Sequence, residues 1–322
     1  MEAVPENPPT NMLGKGLDES EVIKAIEQAG YPLQTIIVNK LSKKFDLIEE
    51  EWTFIDDDLQ KRRSIDIIAS KRLYNEEEGI QKRIRPILSM LIECKKSETP
   101  YVFFVSKNHK IGNEFPFYAG LSKYELRVKS NDSYAPWHID ISDGLSLYEH
   151  PFMKKPLATC SVFTKCNRGK NHLECSGDES FNNLILPLLK SLYYFRKINK
   201  PPKTAEYFDF IATLAVGVVD APMIGITSSE AGNKSILLPW VRVIRHQSDE
   251  NEGWLQREKY LSIDIVHKDY FDTYVDKHVL PFSKEFSKKA LVQHEVIAEG
   301  KGYAESISTN YHDLFNRLRL KK

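Results

Sequence analysis

The chain has 322 residues, enough to bury a full hydrophobic core as one large or two modest domains. Hydrophobic residues make up 41% and charged residues 28%, which is ordinary for a soluble globular protein. Lys+Arg and Asp+Glu both number 45, so overall charge gives no support for a nucleic-acid partner, although a local basic face could still hold a phosphate backbone.

Cysteine usage and hydropathy set the expected compartment. Four cysteines in a chain of this length do not make a disulfide framework and favour a reducing cytoplasm. The polar, Pro-rich N-terminus lacks the apolar segment of a secretory signal. No uninterrupted apolar run approaches 18 residues, so no transmembrane helix and no membrane partner are expected.

The chain opens with a segment predicted to be disordered, residues 1–16, because it is polar and rich in proline. A first helix is predicted over Glu21–Ala29. Asp18 or Ser20 is placed to cap its N-terminus, and Gly30 is placed to end it.

A second helix and a hairpin follow. Pro32 suits the first turn of a helix running from Leu33 to about Phe45. Its predicted apolar face consists of Leu33, Ile36, Ile37 and Leu41. Trp52–Ile55 and Ser64–Ser70 are predicted strands, and the polar residues between them indicate a hairpin.

The next segment alternates between charged and apolar runs. Residues 73–85 predict an exposed loop with some helix. A strand containing Glu93 is expected after Pro86, and another at Tyr101–Val105. Residues 106–144 show no clear periodicity.

The second half predicts more strands and two long helical segments. The predicted strands are Leu157–Phe163, Thr213–Asp220, Met223–Ile226, Ile236–Arg245 and Leu261–His267. Asp178 is placed to cap a helix that is apolar at helical spacing as far as Phe195, with Pro187 favouring a kink or a later start. Tyr270–Leu291 is predicted to be helical, with an interruption at Pro281.

Three charged residues occupy positions expected inside apolar strands. Asp66 lies within Ser-Ile-Asp-Ile-Ile, and Glu93 and Lys95 end another apolar run. Side chains two apart on a strand share a face, so Glu93 and Lys95 project together and Cys94 points to the other face. If the Asp66 strand pairs beside this one, two carboxylates and an ammonium converge, a seat for a hard divalent cation and the water it activates.

A second set of residues repeats this pattern. Asp264 lies in another Ser-Ile-Asp-Ile, and Glu299–Lys301 is another Glu-x-Lys. Glycine on both sides of Lys301 indicates a turn rather than a strand. The first set is therefore the favoured site. A plain salt bridge of Lys95 with a neighbouring carboxylate is the competing interpretation of that set.

The order of helix, hairpin with an aspartate and apolar strand ending in Glu-x-Lys resembles the PD-(D/E)xK nuclease superfamily, whose fold is restriction-endonuclease-like. The phrases that carry the resemblance, within about residues 17–105, are GYPLQ at 30–34, RSIDI at 63–67 and IECKKS at 92–97. The resemblance implies an α/β fold with a central mixed β-sheet flanked by helices. One domain is expected over 17–322, with its motif core at 17–105 and an elaboration at 106–322.

The resemblance implies Mg²⁺-dependent phosphodiester hydrolysis, with Mn²⁺ as a substitute and DNA as the expected substrate, in bacterial restriction or antiphage defence. Asp66, Glu93 and the Cys94 backbone carbonyl would hold the metal, and Lys95 would orient or deprotonate water. Gln34 stands where many members carry a glutamate. It offers a neutral oxygen, so one firmly held metal is expected.

Basic residues near the motif are candidates for binding the nucleic-acid backbone: Lys61, Arg62, Arg63 and Lys96. A homodimer and a companion defence subunit are both compatible with the sequence. The alternative function is a catalytically degenerate module that binds nucleic acid or a protein.

A zinc site is a further alternative. Cys160, Cys166, His172 and Cys175 supply ligand types that zinc prefers, but their spacing is looser than the short knuckles of structural zinc sites. Cys160 also lies in a run that reads as a strand, so its burial in the core is the favoured interpretation.

Overall fold

The computed structural model describes residues 7–29, 31–106, 115–170, 172–247, 259–307 and 313–320. The strands are β1 Leu47–Asp56, β2 Lys61–Arg72, β3 Ile84–Lys96, β4 Tyr101–Val105, β5 Phe117–Ala119, β6 Glu125–Lys129, β7 Trp137–Asp140, β8 Thr159–Arg168, β9 Leu173–Ser176, β10 Phe208–Asp220, β11 Met223–Ser229, β12 Gly232–Leu237, β13 Trp240–Gln247, β14 Lys259–His267 and β15 Lys301–Tyr303.

The helices flank these strands. They are α1 Glu19–Gln28, α2 Tyr31–Leu41, α3 Glu76–Gln81, α4 Ile141–Gly144, α5 Pro151–Lys154, α6 Gly177–Ser180, α7 Leu186–Ile198, α8 Phe271–Tyr274, α9 Leu280–Val292, α10 His294–Glu299 and α11 Leu314–Arg317. Short π-helical segments at Phe181–Ile185 and Val275–Val279 lead directly into α7 and α9.

Twelve of the described strands form one mixed sheet. Ten of them follow the order β1-β2-β3-β10-β14-β13-β8-β4-β11-β12, while β5 pairs with β10 and β9 pairs with β8. β3 is antiparallel to β2 and parallel to β10, so the sheet is mixed at its centre. The expected α/β class with a large mixed central sheet flanked by helices is confirmed. A separate three-stranded sheet joins β15, β6 and β7.

The N-terminal elements largely follow the sequence pattern. Asp18 caps α1, its side chain accepting a hydrogen bond from the Ser20 amide, while the predicted helix end at Gly30 lies outside the described residues. α2 buries Leu33, Ile37 and Leu41. The predicted apolar face is wrong at Ile36, which is 50% exposed because only the narrower i, i+4, i+8 stripe meets the sheet.

The predicted hairpin forms, and its two strands extend beyond the apolar runs that predicted them. β1 and β2 pair antiparallel from Leu47 opposite Ser70 to Asp56 opposite Lys61. Polar residues at both ends of the two strands therefore belong to the ladder, since backbone pairing does not require an apolar side chain.

Two expectations in the second half are wrong. Asp178 does not cap the long helix, because it lies inside the short helix α6, and α7 starts later with Pro187 in its first turn. The single strand predicted over Ile236–Arg245 is instead parts of two strands, β12 and β13. The extended pairing is interrupted between them, where Pro239 cannot donate to a strand ladder.

The core lies on both faces of the sheet. One cluster packs α2 and α9 on one face through residues such as Ile37 and Phe286, and the other packs α7 on the opposite face through Leu188. Each such side chain contributes roughly 1.5–3 kcal/mol when fully buried. Between these layers β3 lies in the middle of the sheet, paired with β2 and β10. Among the described helices, none has the length and apolar character to cross a membrane.

Candidate active site

Asp66 and Glu93 lie side by side on neighbouring strands. β2 and β3 are antiparallel with Ile67 opposite Ile92, and the same register carried one step further sets Asp66 opposite Glu93. The Cys94 backbone N–H donates to Asp66 Oδ2 at 2.6 Å. The strand pairing on which the three-charge arrangement depends is therefore present.

Glu93 and Lys95 form a close ion pair on one face of β3. Lys95 Nζ lies 2.5 Å from Glu93 Oε1. The Glu93 side chain is 7% exposed and that of Lys95 is 31% exposed, so the ammonium reaches solvent while the carboxylate does not. Cys94 packs with Ile92 in the core cluster of the other face, as strand alternation predicts.

One oxygen of Glu93 is buried without a hydrogen-bond partner in the described part of the chain, Oε2. A buried carboxylate oxygen without a donor is costly, and such atoms mark positions where a cation or water belongs. The neighbouring position on β10 is Gly217, where an added Cβ would meet the side chains of Leu184 and Ile265 at 2.8 Å. The wall beside Glu93 is therefore apolar and closely packed.

The electrostatics of the site reflect its burial. Burial raises the pKa of Glu93 to about 7, and the Asp66 charge adds to this, while Lys95 and the backbone N–H of Asp66 lower it. Burial also raises the pKa of Asp66, while the hydrogen bond from the Cys94 N–H and the charge of Lys95 lower it. Burial lowers the pKa of Lys95, but the charges of Glu93 and Asp66 outweigh this and raise it. The single Lys95 ammonium thus faces two carboxylates, one buried and one half-buried, and leaves their combined charge incompletely neutralised.

The structure adds an acidic residue that the sequence pattern missed, Glu51. Its neighbours Glu50 and Trp52 pair with Ile67 and Ile65, which places Glu51 opposite Asp66 on β1. Its charge contributes to the raised pKa of Asp66. Its backbone has φ 51°, a left-handed conformation that a glutamate rarely adopts. The three consecutive glutamates before Trp52 were the available signal, but the predicted strand began after them.

The Gln34 side chain contacts the backbone of Asp66. It is buried on α2, and its Nε2 donates to the Asp66 carbonyl oxygen at 3.2 Å. This bond fixes the β2 backbone at the residue that carries the carboxylate. The nitrogen end of the Gln34 amide is therefore occupied in positioning Asp66.

Comparison with protein-family models, with curated proteins and with solved structures finds no match for this chain. The geometry of the site is therefore the basis on which a function is assigned. That geometry consists of the buried Glu93 carboxylate beside the half-buried Asp66 carboxylate, one unpartnered oxygen and a half-buried ammonium.

The four basic residues proposed to bind nucleic acid differ in their surroundings. Arg63 Nε is 2.6 Å from Asp56 Oδ2, and Lys96 Nζ donates to the backbone carbonyl of Glu27. Lys61 and Arg62 are exposed beside the turn of the hairpin. Of the four, Lys61 and Arg62 are the two whose side chains make no hydrogen bond or ion pair with another described residue, while Lys96 donates to a carbonyl and keeps its charge.

The rival residues are held by separate partners. Asp264 is fully buried and accepts two hydrogen bonds from Arg242, at 2.7 and 2.9 Å, and one from Tyr274 at 2.8 Å. Glu299 pairs with Arg83 at 2.6 Å and with Lys301, the lysine of its own motif, at 3.3 Å. Asp264 is thus a saturated structural anion.

The cysteine and histidine residues do not gather around one point. Cys166 Sγ and Cys175 Sγ are 4.0 Å apart across a hairpin, while His172 Nε2 is 2.9 Å from Glu174 Oε1. Cys160 is buried in the core, as its strand pattern indicates. Within the described ranges, no three His, Cys, Asp or Glu side chains are arranged to share an ion.

Proposed function

We propose that this chain is a Mg²⁺-dependent nuclease with a restriction-endonuclease-like core, acting on DNA. The observation that carries the proposal is the placement of Asp66 beside Glu93 at the end of the β2–β3 ladder, with one buried Glu93 oxygen left without a partner. A buried acceptor without a hydrogen-bond donor costs free energy, so this oxygen favours a cation or water beside Glu93 over a salt bridge with Lys95 alone.

The donor set suits a hard cation. Carboxylate oxygens are the ligands that Mg²⁺ prefers, and those of Asp66 and Glu93 would hold it. In an extended strand the N–H and C=O of one residue leave on the same edge, so the Cys94 carbonyl lies on the edge where its N–H meets Asp66. A bound Mg²⁺ supplies charge neutralisation at the phosphoryl oxygens and lowers the pKa of coordinated water.

Lys95 and Gln34 act through position. Lys95 Nζ is held 2.5 Å from Glu93, at the border between that buried carboxylate and solvent, where it can orient a water or stabilise charge on a phosphate. Gln34 fixes the Asp66 backbone. Phosphoryl transfer depends mainly on such positioning and charge neutralisation.

The hairpin offers a surface for the nucleic-acid backbone. Lys61 and Arg62 lie five and four residues before Asp66 on β2, roughly 13–17 Å along the strand at 3.3 Å per residue. β3 pairs with β2 only from Ile67 onward, so the hairpin extends past the site. Two cations on this extension suit phosphate contacts a few nucleotides from the scissile bond.

The test is cleavage of supercoiled plasmid, and separately of single-stranded RNA, by the full chain with Mg²⁺ or Mn²⁺. Glu93→Gln and Lys95→Met each keep the size of the side chain and remove its charge. Both are expected to lower the plasmid cleavage rate by at least about 100-fold, the range for a charge-stabilising group. The matched control is Glu98→Gln, at an exposed carboxylate outside the strand.

Cleavage that persists in both variants at the wild-type rate rejects the nuclease assignment to this site. Cleavage of RNA with none of plasmid keeps the site and corrects the substrate. A chelator should abolish activity in the wild type, and activity that resists the chelator contradicts the metal requirement.

One observation favours the alternative function, a module that binds nucleic acid without catalytic activity. Asp66 Oδ2 already accepts the Cys94 N–H, and Glu93 Oε1 already binds Lys95, so two of the four carboxylate oxygens are engaged within the chain. Titration with Mg²⁺ and Mn²⁺ separates the two functions. Nucleic-acid binding without cation binding at Asp66 and Glu93 identifies the binding module.

A further inference from the structure

A cleft of about 600 Å³ lies away from the carboxylate site, between the end of β2, helix α3 and helix α9. Five basic side chains line it, namely Lys71, Arg72, Lys82, Lys284 and Lys288. The one acidic lining residue is Glu78. In a chain whose total charge is zero, this is a marked local excess of positive charge.

The positive charge of the cleft is not neutralised within the described residues. Lys71 Nζ donates to the Lys44 carbonyl at 2.7 Å, which holds its charge in place without cancelling it. Glu78 accepts the Asn75 N–H at 3.0 Å in a capping box, which places its carboxylate at the start of α3 and leaves one negative charge against the five positive ones. No described residue forms an ion pair with Arg72, Lys82, Lys284 or Lys288.

Helix α9 carries both a lysine that is paired with a glutamate and two lysines that have no ion-pair partner among the described residues. Lys289 is paired with Glu285 at 2.6 Å, one turn away. Lys284 and Lys288 are also one turn apart, but both are positive, and like charges at this spacing repel each other and destabilise a helix. They share the face that lines the cleft. An anion seated between them would relieve that repulsion.

The cleft also has an apolar wall, formed by Leu73, Leu291 and Val292. Val292 is 62% exposed although it is large and apolar. The volume of the cleft lies in the range of small-ligand sites, about 300–1,000 Å³. A cationic rim beside an apolar wall fits a compact ligand that joins phosphates to a ring system.

The cleft lies on the opposite side of the sheet from the carboxylate site. Lys71 follows Ile67 and Ala69 at two-residue spacing, and those residues pack in the cluster that contains α9. Glu93 shares the face of Leu91, which packs in the other cluster. A strand of nucleic acid held at Glu93 would have to wrap the edge of the sheet to reach the cleft.

We propose that this cleft binds a small ligand of the nucleoside polyphosphate class, with its phosphates among the five basic side chains and its base against the apolar wall. The proposal goes beyond the nuclease function and does not depend on it. Lys284 and Lys288 provide the phosphate contacts from α9, and Arg72 and Lys82 provide them from the facing side.

The experiment is isothermal titration of the full chain with ATP in the presence of a chelator. ATP is expected to bind in the micromolar range, and inorganic tripolyphosphate to compete. Lys284→Glu/Lys288→Glu should weaken binding at least about tenfold. The control Lys200→Glu/Lys203→Glu makes the same change in charge at exposed positions outside the cleft and should leave binding unchanged.

No binding of ATP to the wild type overturns the proposal, as does equal weakening in the two double variants. So does binding of a short oligonucleotide that needs Lys284 and Lys288 but is not displaced by ATP. Lys284→Gln/Lys288→Gln gives the same test with less charge change if the glutamate variant does not fold. Glu93→Gln is expected to bind ATP normally, and loss of binding there contradicts the independence of the two sites.

Discussion

Replacing Glu93 by glutamine should stabilise the protein above neutral pH. The substitution keeps the shape of the side chain and removes a charge that is buried to 7% exposure. Because the pKa of Glu93 is raised in the folded chain, the folded state binds its proton more tightly than the unfolded state does. The stability that Glu93 contributes is therefore full below pH 4.5 and is lost as pH rises to about 7.

The magnitude follows from that shift. A rise of the pKa from 4.5 to about 7 corresponds to a loss on the order of 3 kcal/mol at 1.36 kcal/mol per unit. The attraction to Lys95 is already contained in the shift. Glu93→Gln should match the wild type near pH 4.5 and exceed its free energy of unfolding by this amount at pH 8.

The assay is urea unfolding at several pH values between 4.5 and 8 with a chelator present, with the exposed Glu98→Gln as control. A difference between Glu93→Gln and the wild type that does not change with pH would refute the argument. Adding Mg²⁺ gives a second arm. It should stabilise the wild type by about 2.7 kcal/mol at one hundred times its dissociation constant, and the variant far less.

Three further substitutions test the framework of the fold. Asp264→Asn should cost about 3–5 kcal/mol in urea unfolding, because it leaves the Arg242 guanidinium buried without its anion; a loss under 1 kcal/mol would contradict that role. Glu51→Gly should raise the free energy of unfolding by about 1 kcal/mol by relieving the left-handed backbone, whereas Glu51→Ala, which keeps the strain, should not. Gly120→Ala should abolish soluble expression, because φ is 82° and its Cβ would lie 1.6 Å from the Asp209 carbonyl oxygen, and a normal melting curve would show that this loop can move.

The local arrangement of the site was predictable from the sequence. An aspartate and a glutamate inside apolar strands, with a lysine two positions on, determine which faces the side chains share once the strands pair. The polar residues between Ile55 and Ser64 indicated a tight turn, which predicts that the strands on either side of it pair antiparallel, as they do. Local pattern therefore located Asp66, Glu93 and Lys95.

Other parts depended on information that local pattern does not carry. β10 lies beside β3, although more than one hundred residues separate them along the chain, and no short-range signal specifies that partner. Glu51 joins Asp66 because the ladder extends past the apolar run that marked the strand. The exposure of Ile36 likewise reflects how α2 is rotated against the sheet.

The place of β10 has a consequence for synthesis of the chain. β3 ends at Lys96 and β10 ends at Asp220, so 220 − 96 = 124 further residues must be translated before β3 has its second neighbour. At about 5–20 residues per second this takes roughly 6–25 s. During that time a long apolar strand presents an open edge, the kind of surface that chaperones bind and that aggregates readily. Glu93 gains its apolar wall at Gly217 only when that wait ends, so a nascent chain still on the ribosome carries the charged residues of the site without the enclosure that alters their protonation.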